Sequence, residues 1–249
     1  MTRTVYKLNA PSFGRHFRAA LITDLHSGEP QKVLSLLKKQ SPDYILLGGD
    51  ILEALDGSCD DMNEKAFRIF RGCADIAPTF YCTGNHEDGG THSQGRKWKT
   101  GEGKPRVYSG RNLERINRSG VKLLLNSYVV ADGIAIGGLA SGLINKNGIP
   151  DISFLDEFSR VAEPKILICH HPEYYEKYLI DRPIELTVSG HAHGGQWRIF
   201  GRGIYAPGQG LFPKYTSGVY DGRLIVSRGL KKGIIPRFFN RKEIVIIDI

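Results

Sequence analysis

Short apolar runs alternate along the chain with segments whose apolar residues recur at helical spacing, and that alternation predicts an α/β fold. Arg18-Ala19-Ala20-Leu21-Ile22 is a compact apolar strand ending in the polar cluster Thr23-Asp24-Leu25-His26. Pro30 opens a helix through Gln40 with Val33, Leu34, Leu36 and Leu37 inward. Lys38-Lys39 lie near its C-terminal end, where the helix dipole favours cations. Tyr44-Ile45-Leu46-Leu47 is the next strand, stopped by Gly48-Gly49-Asp50. A helix over 63–74 turns Ala66, Phe67, Ile69 and Phe70 inward, and Thr79 to Cys82 is a third strand, stopped by Gly84-Asn85-His86-Glu87. Ligands of open α/β sheets gather at the carboxyl ends of strands, so the three clusters are expected to converge.

Beyond a helix over 113–119, the apolar runs 121–125, 128–130 and 134–136 read as consecutive strands of a second, partly antiparallel sheet. A helix over 154–162 leads into the strand Lys165 to Cys169 and then His170-His171-Pro172. The strand Ile184 to Val188 runs into Ser189-Gly190-His191-Ala192-His193-Gly194-Gly195-Gln196, and Leu224-Ile225-Val226 and Glu243 to Ile247 close the pattern. No repeat or linker divides the chain, so residues 1–249 read as one domain. Residues 88–111 break the pattern. They are rich in Gly, Lys and Arg, and read as a surface loop or a phosphate-attracting lid.

Composition narrows this picture only modestly. At 41% hydrophobic and 24% charged residues over 249 positions, disorder and fibrous repeats are excluded. No apolar stretch approaches the roughly 18–20 residues of a membrane span. The N-terminal residues lack the apolar segment of a signal peptide, so the expected address is cytoplasmic. The four cysteines, Cys59, Cys73, Cys82 and Cys169, form no Cys-x-x-Cys pair, and read as small hydrophobes. A net charge of +8 favours acidic partners in general.

The polar clusters carry the chemistry. Asp24 and His26 are two apart, and on an extended backbone both side chains share one face; His191 and His193 repeat that spacing. Asp50, Asn85 and His170 each follow an apolar strand, so half of the 8 histidines fall at strand ends beside two aspartates and an asparagine. Mixed imidazole and carboxylate donors suit transition metals such as Mn, Fe, Zn or Co better than Ca or Mg. Seven donors are enough for two ions about 3.5–4 Å apart.

In that order, Asp24-x-His26, Gly49-Asp50, Gly84-Asn85-His86-Glu87, His170 and Gly190-His191-x-His193 resemble the motifs of calcineurin-like metallophosphoesterases. The ending Val226-Ser227-Arg228-Gly229-Leu230 with Pro236-Arg237 extends the likeness to the bacterial phosphodiesterase branch that includes YaeI and YkuE. The resemblance implies a four-layer α/β/β/α sandwich of two mixed sheets flanked by helices. It implies two metal ions (Mn, Fe or Zn), one held by Asp24, His26 and His193 and the other by Asn85, His170 and His191, with Asp50 bridging. His171 is then expected on the opposite face, though still able to line the pocket. Phosphodiester or phosphomonoester hydrolysis would proceed through a metal-bridging hydroxide with His86 as general acid. Where the protein-phosphatase branch has an Asp-Arg pair after Gly-Asp, this chain has Glu53-Ala54. Glu53 is thus the candidate to orient His86, a phosphoprotein substrate is disfavoured, and Arg96, Arg228 and Arg237 are candidates to reach the site from loops as a phosphate clamp.

Three further readings follow from particular segments. Ile234, Ile235, Pro236, Phe238 and Phe239 with Arg237, Arg241 and Lys242 read first as a C-terminal segment tucking its aromatics into the core. Alternatively they suit peripheral contact with a membrane, as a hydrolase of a UDP-linked acylated sugar in a related branch would need. A small-molecule or lipid-linked phosphoester is therefore the expected partner. A nuclease is suggested by the basic pI of about 9.3 and the basic stretch from Arg96 to Arg111, but no nucleic-acid-binding motif accompanies them, so no nucleic acid is expected. A metal-free scaffold would have lost ligands, and here the set is whole.

Overall fold

The computed structural model describes residues 1–88, 108–141, 149–231 and 236–249. Its strands are β1 (Thr2–Lys7), β2 (Arg18–Ile22), β3 (Tyr44–Gly48), β4 (Thr79–Cys82), β5 (Lys122–Leu123), β6 (Ser127–Ala131), β7 (Ile134–Leu139), β8 (Lys165–Cys169), β9 (Leu186–Ser189), β10 (Arg198–Ile199), β11 (Arg202–Gly203), β12 (Tyr205–Ala206), β13 (Gly210–Leu211), β14 (Gly218–Tyr220), β15 (Leu224–Val226) and β16 (Glu243–Asp248). The helices are α1 (Gln31–Gln40), α2 (Asp60–Asn63), α3 (Arg68–Ala74), α4 (Gly110–Arg118) and α5 (Ile152–Ser159).

Two six-stranded mixed sheets form, in the orders β1-β16-β2-β3-β4-β5 and β14-β15-β9-β8-β7-β6. Within the first, β2, β3, β4 and β5 run parallel. Within the second, β7, β8, β9 and β15 run parallel. The central strands are buried on both faces, which is why they read as unbroken apolar runs rather than alternating ones.

Three apolar clusters define the layers. Val33, Leu37, Ile69, Phe70 and Ile116 of α1, α3 and α4 cover the outer face of the first sheet through Ile45, Leu47 and Tyr81. Leu21, Leu46 and Phe80 meet Ile136, Ile168 and Val188 between the sheets. Phe154, Leu155 and Phe158 of α5 cover the outer face of the second sheet. This is the expected helix–sheet–sheet–helix sandwich.

Two elements differ from expectation. The run 121–125 does not join the second sheet: β5 pairs with β4 at the edge of the first, and only Leu124 turns into the core between the sheets. The helix expected over 63–74 is interrupted, because the amides of Arg68, Ile69 and Phe70 bond three residues back rather than four. Among the described residues, no helix is long and apolar enough to cross a membrane. Most of the basic stretch 88–111, including Arg96, lies outside the described residues.

Candidate metal centre and active site

Because β2, β3 and β4 are parallel, and β8 and β9 likewise, the five polar clusters leave their strands at carboxyl ends and meet at one edge of the sandwich. The loops after β2 and β3 are zipped together: the amides of Asp24, His26 and Ser27 donate to the carbonyls of Gly49, Asp50 and Ile51 at 2.9–3.0 Å. The donor residues are not extended, as their spacing suggests. Asp24, His26, Asp50, His191 and His193 all adopt left-handed backbone, with φ between 47° and 61°. Asp and His tolerate that region better than most residues, yet each costs roughly 1 kcal/mol, so strain is concentrated on the residues that carry the donors. Close approach needs glycine here. A Cβ on Gly229 would stand 2.4 Å from Asp24 Oδ2.

The donors fall into two groups, Asp24–His26–His193 and Asp50–His170–His191, each with its ligand atoms within 4.8 Å of one another. Asp50 links them. Its Oδ2 is 3.2 Å from His170 Nε2, 3.5 Å from His26 Nε2 and 3.9 Å from His86 Nε2. Across the first group, His193 Nδ1 lies 3.5 Å from Asp24 Oδ1. Asp24 Oδ2, His26 Nε2, Asn85 Oδ1, His170 Nε2 and His193 Nδ1 are buried without a hydrogen-bond partner. Leaving so many buried polar atoms unpaired is costly unless something else completes them.

The tautomers agree with that. His170 Nδ1 donates to the Gly48 carbonyl at 2.7 Å, and His26 Nδ1 donates to Glu53 Oε1 at 3.2 Å. In the neutral His26 ring this leaves Nε2 as a lone pair facing the Asp50 carboxylate, acceptor against acceptor, an arrangement that a cation resolves. Burial pushes the pKa of His191 and His193 well down, helped by neighbouring imidazoles, and that of His26 down as well. These rings are therefore neutral near pH 7, the form a metal binds. His170 differs: burial opposes its charge, but Asp50, Asp24 and the Gly48 carbonyl carry its pKa up to about 10. The donor set fits a pair of transition-metal ions.

Glu53 stands beside His86 as expected, with Oε2 2.6 Å from His86 Nδ1, and it also holds His26. Burial opposes its ionisation, yet the bonds from His26 and His86 bring its pKa down to about 2. The His86 amide donates to Asp50 Oδ1 at 2.8 Å, and its ring stands edge-on to His26. Burial works against its charge, but Asp50 and Glu53 raise its pKa.

The structure also places residues around the donors in ways that spacing did not reveal. His171 does not sit apart on the opposite face; its ring centroid is 4.3 Å from that of His191, and Glu173 accepts from its Nδ1 at 3.1 Å. Glu173, His171 and His191 thus form a further group beside the second set of donors. Buried Glu87 accepts from the amides of Asp50, Ile51, Leu52 and Gly84 and from the Tyr81 hydroxyl, at 2.6–2.9 Å, pinning the loops after β3 and β4 together. Its signal was its place in the same Gly-Asn-His-Glu cluster. Of the three arginines considered for a clamp, Arg228 is taken by an ion pair with buried Glu243. Arg237 Nη1 donates to the Arg228 carbonyl at 2.7 Å, while its Nη2 is buried with no partner among the described residues. Burial lowers the Arg237 pKa and the Asp24 charge resists that, which places the guanidinium within electrostatic reach of the first donor group.

The calcineurin-like phosphoesterase family profile matches residues 17–195, a span that contains every proposed metal donor. The chain belongs to that family. It is 26% identical to the uncharacterised metallophosphoesterase Cj0846 of Campylobacter jejuni, over 96% of this chain and 60% of that protein. It is 27% identical to phosphodiesterase YaeI of Escherichia coli, over 74% of this chain and 63% of that protein. To the uncharacterised metallophosphoesterase YkuE of Bacillus subtilis it is 28% identical, over 94% of this chain and 77% of that one. The chain therefore spans about three-fifths of the first two relatives, and these names describe those proteins.

Proposed function

We propose that the protein is a dinuclear metal-dependent phosphoesterase, with a phosphodiester as its preferred substrate class. The observation that carries this is the pair of donor groups joined at Asp50, with five buried donor atoms left unpaired. Asp24, His26 and His193 would hold one ion, Asn85, His170 and His191 the other, and Asp50 both. When bound, two such ions polarise phosphoryl oxygens and lower the pKa of water. Everything else is done by the chain. Glu53 fixes the Nδ1–H of His86, so Nε2 is the nitrogen that can pass a proton to the departing oxygen. The same carboxylate orients His26, which couples the proton donor to the first donor group. Arg237 takes the place of the arginine missing after Asp50, its unpaired Nη2 accepting the role of donor to a non-bridging phosphoryl oxygen. The diester is named because YaeI is a phosphodiesterase by name.

The test is turnover of bis-p-nitrophenyl phosphate beside p-nitrophenyl phosphate, with Mn²⁺ and with a chelator. Chelator-sensitive cleavage favouring the diester is expected. Cleavage that persists in chelator would overturn the metal mechanism, and cleavage of the monoester alone would overturn the diester assignment.

A further inference from the structure

Fourteen non-glycine residues have positive φ among the described residues, and all but three are polar: Asp, His, Ser, Asn or Gln. The three are Phe200, Phe212 and Phe239, with φ of 49°, 51° and 52°. They are also 101%, 78% and 90% exposed. An aromatic ring left in water gains no burial energy, and left-handed backbone costs it roughly 1–2 kcal/mol that Asn or Gly would avoid. Folding therefore gives no reason for phenylalanine at any of these sites, let alone at all three.

They also share one surface. Phe200 tips the turn between β10 and β11, and Phe212 follows β13, its amide donating to the Ile204 carbonyl at 2.8 Å. Phe239 follows Phe238, whose carbonyl accepts from the Arg198 amide at 3.1 Å. Exposed Leu211 and Phe238 fill out the apolar area. Segments 197–214 and 236–242 contain six Lys and Arg residues and no Asp or Glu, and Arg202, Lys214 and Arg241 are exposed.

We infer that this surface docks onto an anionic lipid bilayer, with the three phenylalanines inserting at the level of the headgroups. Lys214 is paired to Glu176 at 3.1 Å, whereas Arg202 and Arg241 pair with no acid among the described residues. Protruding aromatic loop tips flanked by these cations match a negatively charged interface better than the flatter, charge-mixed face of a protein partner. The surface adjoins the metal centre: Asn240, next to Phe239, donates to the His193 carbonyl at 2.7 Å. Docking would set the donor groups beside the headgroup layer, where a phosphoester carried on a lipid is presented. The residues that sequence alone pointed to included Ile234 and Ile235, which lie outside the described residues; Phe200, Phe212 and Leu211 come from a different part of the chain.

Docking does not depend on the proposed activity, and its test uses none. The full chain is sedimented with vesicles of phosphatidylcholine mixed with phosphatidylglycerol, and with vesicles of phosphatidylcholine alone. Binding is expected to the mixed vesicles, weakened by salt and weaker on the neutral ones. The variant F200N/F212N/F239N should lose about a hundredfold or more in partitioning, since withdrawing one phenyl ring from water is worth roughly tenfold. Its thermal midpoint should hold or rise, because Asn accepts left-handed backbone. If the midpoint falls, F200N alone decides, with a loss of about tenfold. Failure of the wild type to sediment with the mixed vesicles, or equal sedimentation of the variant, would overturn the inference. So would self-association that the variant abolishes without any vesicle binding, which would assign the face to a second copy of the chain.

Discussion

Asp50 is where both donor groups meet, and its replacement is the sharpest test at the scale of single residues. Asp50→Ala should lower bound metal and remove turnover, while His191→Ala should chiefly empty the second group; retained activity with full metal content in either variant would sink the two-ion arrangement. His86→Ala should keep its metal and lose about 10²–10⁴-fold in rate, the usual size of a general-acid contribution. Glu53→Gln separates charge from position. Asp50 and Glu53 both raise the His86 pKa, so a general acid at His86 must lose activity on the alkaline side as it deprotonates. Removing the Glu53 charge lowers that pKa, and the alkaline limb of the pH–rate profile should move to lower pH; an unmoved limb would rule out Glu53 as the residue that tunes His86. Arg237→Ala should raise KM far more than it lowers kcat, with Lys restoring little, since a point charge does not replace a planar donor. The donors themselves were legible in the sequence, because each is a metal-binding residue type directly after an apolar run. Arg237 was only one of three candidates. Nothing in the chain shows that Glu243 occupies Arg228 and leaves Arg237 Nη2 unpaired.

Between residues and the whole lie the loops that follow the parallel strands, and Glu87 holds two of them. Replacing it with Ala strips partners from four buried amides and a hydroxyl, at a cost of at least about 3 kcal/mol. A urea midpoint that barely moves would show that water substitutes for the carboxylate. Gly84→Ala probes the same seam from the other side: its Cβ would stand 2.3 Å from Asp50 Oδ1, so metal affinity should fall. At this scale the sequence was partly readable. The strands β2, β3, β4, β8 and β9 announce themselves as apolar runs ended by polar clusters. The run 121–125 is equally apolar but says nothing of its partner; pairing with β4 is fixed by the bond from the Leu124 amide to the Tyr81 carbonyl, a tertiary fact. The break between α2 and α3 likewise has its cause elsewhere. Asn63 turns inward, where its Oδ1 accepts from the Glu53 amide and the Ser27 hydroxyl, so the chain is tied to the site loops where a regular helix would have continued. The spacing argument for Asp24 and His26 reached the right residues through extended geometry, whereas the backbone brings them together by left-handed turns.

Across the whole molecule, the two candidate donor groups come together only because two sheets meet at one edge, so what locks the sheets together also fixes the distance between those groups. β16, from beyond the segment that matches the family, lies between β1 and β2, and β15 extends the second sheet beside β9. Tyr44 of β3 is a specific tie. Its ring packs between the sheets, with centroids 5.5 Å from Phe17 and 6.2 Å from Phe80. Its hydroxyl donates at 2.6 Å to Asp132, in the Asp132-Gly133 turn that joins β6 to β7 in the opposite sheet. Burial, and then the bond to Asp132, push the Tyr44 pKa from 10.0 up to about 12. A folded-state pKa raised above the unfolded one means that this stabilisation is complete below pH 10. It is lost as pH rises toward 12, because the unfolded phenol ionises first. Tyr44→Phe keeps the ring and removes the titration. It should cost about 1 kcal/mol near neutral pH, since Asp132 is largely exposed and the bond is shared with water. Above pH 10 its unfolding free energy should decline less steeply than that of the wild type, so that the two curves converge. Buried Tyr81, which is also pushed up by burial, contributes equally to both proteins and cancels in the difference. Urea unfolding across the alkaline range decides the matter: parallel curves would show that Tyr44 does not carry the inter-sheet tie assigned to it.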